Sequence, residues 1–195
     1  MMKQLTREDL FSLEEYAEQR PGFRTKVLEH KKHRQVHIGA HATLYFEDRL
    51  TMHYQIQEML RVERIFEKEA IQEELDAYNP LIPDGSNWKA TFMMEYEDVP
   101  ERQTALAQLI GVEDKVWVQV VGHDKVYAIA DEDLERENAE KTSSVHFMRF
   151  ELAAEMVSAL KSGAALGMGI DHENYLESVP QVSTAVRDSL TADLD

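Results

Sequence analysis

The chain has 195 residues, no cysteine and a formal net charge of −16. Without cysteine it can form no disulfide, no thiolate zinc site and no cysteine-ligated iron–sulfur cluster. The acidic charge opposes binding to nucleic acids, whose phosphates are contacted mainly by lysine and arginine. No segment approaches the roughly 20 apolar residues that span a bilayer, and the N-terminus has no apolar signal region. We therefore expect a cytoplasmic protein without membrane contact.

The N-terminal region predicts two helices followed by a hairpin. The first helix is expected to stop near Pro21, because an interior proline removes a backbone hydrogen bond. A second helix is predicted over 23–34. Residues 36–38 and 43–46 have the side chains of two short strands, and Gly39-Ala40 between them favours a two-residue turn.

A long helix is predicted from about Arg49 to Lys68. Its apolar residues recur at helical spacing, namely Met52, Ile56, Met59, Leu60 and Phe66. A shorter helix over 70–78 is expected to end before Pro80, because the residue preceding a proline avoids helical geometry. These two helices and the loop after them carry the candidate chemistry.

The remaining sequence alternates irregularly between strand and helix patterns. Strands are predicted over 88–96, 144–152 and 165–170, a hairpin over 115–130, and helices over 100–110, 131–140 and 153–162. This irregular order favours an α+β fold, with antiparallel hairpins packed against several helices, over a doubly wound sheet. We assign residues 1–175 to one globular domain and 176–195 to a tail. In the tail, apolar residues at spacing four hint at a terminal helix.

Common catalytic motifs are missing from the sequence. It contains no glycine-rich phosphate loop with lysine, no Gly-x-Ser-x-Gly elbow and no His-Glu-x-x-His motif, which removes several large enzyme classes. His30, His33, His37 and His41 follow one another at spacing three or four. Strand propensity at 36–38 would hold the last two about 13 Å apart, so this series does not predict a metal site.

One carboxylate falls within the apolar phase of the long helix. Glu63 lies four residues after Met59 and three before Phe66. A lone buried carboxylate costs several kcal/mol unless it is paired, protonated or bound. One account of this position is structural, with Arg61 or Arg64 neutralising buried carboxylates inside the fold.

The other account is a functional pocket built on the same helix. Its predicted residues are His53, Glu58 and Glu63 as catalytic or metal-ligating groups, and Arg49, Arg61 and Asn79 as substrate-binding groups. Carboxylate and imidazole ligands together could hold a non-haem metal ion. The sequence leaves both accounts open.

Five segments carry a family resemblance, namely 46–49, 54–61, 73–85, 126–133 and 144–150. They resemble a bacterial family known only as a domain of unknown function, the DUF3501-like family. The resemblance extends over about residues 5–175, and residue 176 onward looks additional. Members of this family are often encoded near rubrerythrin-like and iron–sulfur redox proteins. The resemblance therefore implies a role beside a peroxide-handling or electron-handling system, without naming an activity.

Two hypotheses follow for the function. The first is a cytoplasmic accessory or binding protein that works with a redox or iron-handling partner protein and associates as a homodimer. The second is a small enzyme that uses the cluster of Glu58, Glu63 and His53 with a non-haem metal. Stoichiometric metal that is lost on His53→Ala would favour the enzyme, and metal-free protein that captures a neighbour would favour the accessory role.

Overall fold

Strands account for most of the central core in the computed structural model, which describes residues 3–132 and 141–195. They are β1 (Gln35–Ile38), β2 (Ala42–Glu47), β3 (Asn87–Met94), β4 (Val116–Val120), β5 (Val126–Tyr127), β6 (Ile129–Ala130), β7 (Val145–Glu151), β8 (Leu166–His172) and β9 (Tyr175–Val179). They form two antiparallel sheets. Sheet A has the order β1-β2-β3-β7-β6, and sheet B has the order β5-β4-β8-β9.

Helices lie before, between and after the strands in the chain. They are α1 (Leu13–Lys31), α2 (Arg49–Val62), α3 (Lys68–Tyr78), α4 (Val99–Gln108), α5 (Ala154–Lys161) and α6 (Thr184–Thr191), with short 3₁₀ turns at Arg7–Asp9, Asn79–Leu81 and Val112–Lys115. None of the helices in the described part of the chain is long and apolar enough to cross a membrane. The predicted α+β class, with hairpins packed against helices in one domain, is confirmed.

The two sheets enclose the main core because their inner-facing residues are apolar. Along β3 fully buried positions alternate with half-buried ones, as expected for a strand that buries one face. The largest inner side chains are Phe46, Trp88, Phe92, Phe150 and Leu166. Polar side chains at the alternate positions therefore project from the outer face of sheet A.

Two contacts join the sheets at opposite ends. Strands β5 and β6 are separated by the single residue Ala128, whose N–H donates to the carbonyl of Val116 at 2.9 Å. At the other end the Tyr175 hydroxyl donates to the Ile38 carbonyl at 2.7 Å and accepts the N–H groups of His41 and Ala42. The two contacts therefore connect the edge strands of sheet A to those of sheet B and close the core at both edges.

A second, smaller core holds α2 and α3 together with the N-terminal segment. Its buried residues are Leu5, Met52, Ile56, Leu60, Leu75 and Ile82. This cluster places the start of α2 and the end of α3 beside the outer face of sheet A.

The predicted helix break at Pro21 is wrong. Pro21 lies inside α1, which continues to Lys31. Tyr16 and Val27, on either side of the proline, are both fully buried, and this packing offsets the roughly 3 kcal/mol that an interior proline costs. Residues 23–34 therefore do not begin a separate helix.

The long helix predicted to reach Lys68 ends at Val62. Arg64 adopts a left-handed conformation with φ of 55°, and the N–H of Ile65 donates back to the carbonyl of Leu60 at 2.9 Å. A new helix, α3, starts only at Lys68. The sequence predicted Glu63 and Phe66 on the apolar face of one long helix. Both residues instead lie beyond the end of α2.

Three further predictions concern loops and the tail. The hairpin turn is longer than predicted, because Ile38 pairs with Ala42 and three residues connect the strands. The helix predicted over 131–140 lies outside the described residues except at its first two positions. The tail contains β9 and α6, and the apolar residues that were noted there are buried in the main core: Val182, Val186, Leu190 and Leu194.

Candidate functional site

A groove runs between the outer face of sheet A and helices α2 and α3. It consists of two adjoining chambers with volumes of about 410 Å³ and 510 Å³. Both chambers are lined by Tyr78, Leu81 and Phe147. Tyr78 and Leu81 belong to the end of α3 and the following 3₁₀ turn, and Phe147 lies in the middle of β7. We call this feature the sheet-face groove.

The smaller chamber contains a fixed carboxylate. Glu47, the last residue of β2, is only 8% exposed. Its Oε2 accepts the Thr51 hydroxyl at 2.7 Å, and its Oε1 accepts the Thr91 hydroxyl at 2.9 Å. Met52 and Met93 supply apolar surface beside it. Both carboxylate oxygens thus have a defined orientation at the wall of the chamber.

A buried arginine lies behind the same wall. Arg34 donates from Nη2 to Asp193 Oδ2 at 2.5 Å and to the Glu47 carbonyl at 3.1 Å. Its Nε lies 3.4 Å from Asp48, which also lies 2.5 Å from His30 Nε2 and accepts the backbone N–H of Thr51. Burial raises the pKa of Asp193 to about 6, against the attraction of Arg34. This cluster joins α6 to the start of α2 and leaves no polar atom of Arg34 available for a ligand.

The larger chamber contains a lysine whose side chain has no partner within residues 3–132 and 141–195. Lys89 on β3 is half-buried, and no hydrogen bond or ion pair joins its ammonium group to the described residues. Its register partners are Glu47 on one side and Arg149 on the other. Burial lowers the pKa of Lys89, and the positive charge of Arg149 lowers it further.

Arg149 differs from Lys89 because it has carboxylate partners. Its guanidinium donates to both carboxylate oxygens of Glu132, at 2.9 and 2.7 Å, and a further nitrogen donates to Glu151. These hydrogen bonds raise the pKa of Arg149 above its usual range. In the part of the chain that the structure describes, Lys89 thus has no counter-ion in direct contact, unlike Arg149.

A buried histidine lies on the opposite face of β7. His146 Nδ1 is 2.5 Å from Asp131, and Nε2 is 2.9 Å from the Thr142 hydroxyl. The order of acid, imidazole and hydroxyl is that of a catalytic triad. His146 is fully buried, so a substrate has no access to it, and the cluster fixes residues 131 and 142 to the strand.

The predicted base Glu58 belongs to a structural network. Its carboxylate accepts a bidentate pair of hydrogen bonds from Arg20, at 2.7 and 2.8 Å, and the Tyr16 hydroxyl at 2.6 Å. The hydrogen bonds from Arg20 lower the pKa of Glu58 to about 2. Glu58 therefore joins α2 to α1 and is a poor proton acceptor near neutral pH.

The other two members of the predicted cluster lie apart from it. Glu63 is exposed, so the expectation that it faces inward is wrong, because α2 ends before it. His53 packs against Phe11 and Phe23, with ring centroids 5.5 and 5.1 Å away. Its Nε2 is buried without a hydrogen-bond partner, and burial lowers the pKa of His53. Across residues 3–132 and 141–195, no three His, Asp or Glu side chains are grouped as a metal site requires.

The predicted substrate-binding residues also have separate positions. Arg49 pairs with Asp9 at 2.7 Å and donates to the Lys3 carbonyl, and Arg61 is exposed. Asn79 exchanges two hydrogen bonds with the backbone of Leu5, at 2.8 and 2.9 Å. The catalytic, metal-ligating and substrate-binding roles of these residues stay predictions, and the contacts just described are those of structural groups.

The comparisons with known proteins give a family but no activity. A model described as "Protein of unknown function (DUF3501)" matches residues 4–194. The chain belongs to this family. A crystal structure of a novel protein of unknown function from Burkholderia pseudomallei K96243 is 52% identical to the chain, with a TM-score of 0.94. That similarity covers 99% of this chain and 100% of the other. No curated protein matches the chain.

Family membership changes the interpretation of the C-terminal tail. The matched region of the DUF3501 family continues to residue 194, so the residues after 175 are not an addition to it. The structure gives the physical reason, because Leu190 and Leu194 of this segment are buried in the main core and Asp193 pairs with Arg34.

The groove residues were missed in the sequence because they are widely separated along the chain. Glu47, Lys89 and Arg149 lie on three strands and become neighbours only through the register of sheet A. One signal was present: each of these strands places charged or hydroxyl side chains between buried apolar ones. Sequence alone did not show which of these polar residues would lie under the helices.

Proposed function

We propose that the protein binds a small organic ligand in the sheet-face groove and acts as an accessory protein to a redox or iron-handling system. The binding role rests on one observation, the meeting of two chambers at Tyr78, Leu81 and Phe147. Ligand sites are typically concave and mostly apolar, with a few placed polar groups. Glu47 in one chamber and Lys89 in the other are the polar groups of this kind.

The shape of the groove favours an elongated ligand. The shared apolar residues lie in the middle, and the two charged groups lie in different chambers. A molecule that occupies both chambers would pack its apolar body against Phe147 and place a polar group at one or both ends. Glu47 would accept a hydrogen bond, whereas Lys89 would interact with an electron-rich oxygen.

The binding role is tested with the neutral dye Nile red. We expect saturable binding with one dye per chain, measured by the rise in dye fluorescence. Leu81→Ala should weaken binding by roughly tenfold, because the lost apolar contact is worth about 1–2 kcal/mol. Val121→Ala is the matched control, since Val121 is 60% exposed in the turn after β4. Equal affinities for the two variants would remove the groove as the binding site.

The accessory role draws its support from the family resemblance. Sedimentation of the purified protein with a purified rubrerythrin-like protein should show a complex in the micromolar range, and the protein alone should sediment as the homodimer. Absence of a complex would remove the redox part of the proposal and leave dye binding untouched. The cytoplasmic location belongs to the same proposal and is checked by fractionation of the bacterial cell.

A further inference from the structure

Lys89 differs from the two arginines that line the groove. Arg149 is held by two carboxylates, and Arg34 is buried among acceptors. Among the described residues the Lys89 side chain has neither kind of partner, although it is half-buried and lies between Glu47 and Arg149 in the sheet register. An amine in such a position is destabilised in its charged form by burial and by the neighbouring cation.

Destabilising the charged form increases the reactivity of the lysine, because only the neutral amine is a nucleophile. A lysine becomes reactive toward carbonyl groups when it is desolvated in an apolar pocket or placed beside another cationic group. Lys89 meets both conditions. The lowered pKa of Lys89 increases its neutral fraction near neutral pH relative to an exposed lysine. Among the charged side chains that act on Lys89, Arg149 lowers its pKa, whereas Glu132, Asp84 and Glu151 raise it and offset part of the lowering.

We propose that Lys89 Nζ forms a reversible imine with an aldehyde or ketone bound in the larger chamber. The proposal deepens the binding role of the groove, on which it rests, by naming the reacting group and the ligand class. The aliphatic or aromatic body of the carbonyl compound would lie against Tyr78, Leu81 and Phe147, which line the chamber beside Lys89.

The step balances without an oxidant, a reductant or a metal. The nitrogen lone pair forms the C–N bond while the carbonyl π electrons move to oxygen, and a proton passes from nitrogen to oxygen to give a carbinolamine. Loss of this hydroxyl as water, with loss of the remaining N–H proton, gives the neutral imine. Hydrolysis reverses the sequence and releases both the amine and the carbonyl compound.

The proposal is tested by trapping the imine with benzaldehyde and sodium cyanoborohydride at pH 7. Intact-mass and peptide mass spectrometry should show that the first benzyl adduct forms on Lys89, several-fold faster than on the exposed Lys161. Nile red bound in the groove should slow this adduct without changing the rate at Lys161. Uniform modification of the lysines would overturn the proposal.

Two variants separate reactivity from folding. Lys89→Arg keeps the positive charge, and it should lose the first adduct while retaining the thermal unfolding midpoint. Arg149→Gln removes the neighbouring cation, so it should slow trapping at pH 7 and shift the pH profile of the Lys89 reaction to higher pH. An unchanged profile in folded Arg149→Gln protein would contradict the activation by Arg149.

The outcomes also distinguish this proposal from the binding role. Dye binding that is sensitive to Leu81→Ala, together with uniform lysine modification, would leave a binding groove with an unreactive lysine. Selective trapping at Lys89 that Nile red does not slow would indicate a reactive lysine, with the dye bound elsewhere.

Discussion

The α1–α2 interface and the sheet-face groove both contain partly buried charged groups, but these groups differ in how completely they are paired. At the interface, Glu58 is enclosed by the guanidinium of Arg20 and the hydroxyl of Tyr16. In the groove, Lys89 has no hydrogen-bond partner among the described residues and lies beside another cation. Removing one partner of a fully paired buried charge strongly destabilises a fold, whereas a buried charge that has no partner is retained at a cost to stability. Pairing, more than burial, therefore separates structural groups from candidate functional ones.

The largest expected effect comes from breaking a fully paired cluster. Arg34→Leu leaves the buried Asp193 carboxylate without its cation, and we expect the free energy of unfolding to fall by about 3–5 kcal/mol. Urea denaturation at pH 8 measures the change. The loss should be smaller at pH 5, because Asp193 already has a raised pKa of about 6 and its protonation removes the unpaired charge.

The control for this change is Arg24→Leu on the exposed surface of α1. It should alter the free energy of unfolding by no more than about 0.5 kcal/mol, the usual range for surface positions. Equal losses for Arg24→Leu and Arg34→Leu would mean that the cluster around Asp193 does not hold α6 in place.

A smaller loss is expected at the α1–α2 interface. Glu58→Gln removes charge-assisted hydrogen bonds from a half-buried carboxylate, and it should lower the free energy of unfolding by about 1.5–3 kcal/mol at pH 7. The pKa of Glu58 is lowered to about 2 in the folded state. Its stabilisation is therefore complete above the unfolded pKa of about 4.3 and is lost as the pH falls toward 2. The difference between the two proteins should shrink over that range.

Glu63→Gln provides the matched comparison on the same stretch of chain. Glu63 is exposed beyond the end of α2, so the substitution should leave both the stability and its acid dependence within about 0.5 kcal/mol of the unmodified protein. A large effect of Glu63→Gln would restore the carboxylate cluster predicted from the sequence.

In the groove, we expect a substitution to leave the free energy of unfolding unchanged or to raise it. Lys89→Met replaces an unpaired, half-buried ammonium by an apolar side chain of similar length. Because the pKa of Lys89 is lowered in the folded state, the folded protein binds this proton less readily than the unfolded chain, and the charged lysine opposes folding at pH 7. The free energy of unfolding measured in urea should therefore stay equal or rise. A loss above about 1 kcal/mol would assign Lys89 a structural role and remove the contrast with Glu58.

The secondary structure followed from the sequence wherever periodicity was regular. The alternation along β3 and β7 predicted both strands, and the spacing of four in the tail indicated α6. The end of α2 was not visible, because the left-handed turn at Arg64 uses a residue without glycine's conformational freedom. Pro21 was misleading for the opposite reason, since tertiary packing of α1 overrides a strong local signal.

The candidate site was less accessible to sequence reasoning than the fold. Helical spacing suggested a cluster of His53, Glu58 and Glu63 because it considered one helix in isolation. The partner of Glu58 is Arg20, which lies 38 positions earlier, and the chamber around Lys89 combines strands of sheet A with the end of α3. Such contacts depend on strand register and helix packing, which periodicity does not encode.

The smallest effect is expected at His53, where the sequence predicted a metal ligand. His53 packs in an aromatic cluster with Phe11 and Phe23, and its Nε2 is buried without a partner. His53→Phe replaces the imidazole by another planar ring and removes the unsatisfied nitrogen, so we expect the free energy of unfolding to change by less than about 1 kcal/mol. The content of iron, manganese and zinc per chain, measured by mass spectrometry on freshly purified protein, should be the same in both proteins. A stoichiometric metal ion that is present in the unmodified protein and lost in His53→Phe would instead identify His53 as a metal ligand. Phenylalanine can replace the packing of an imidazole, but it cannot bind a metal.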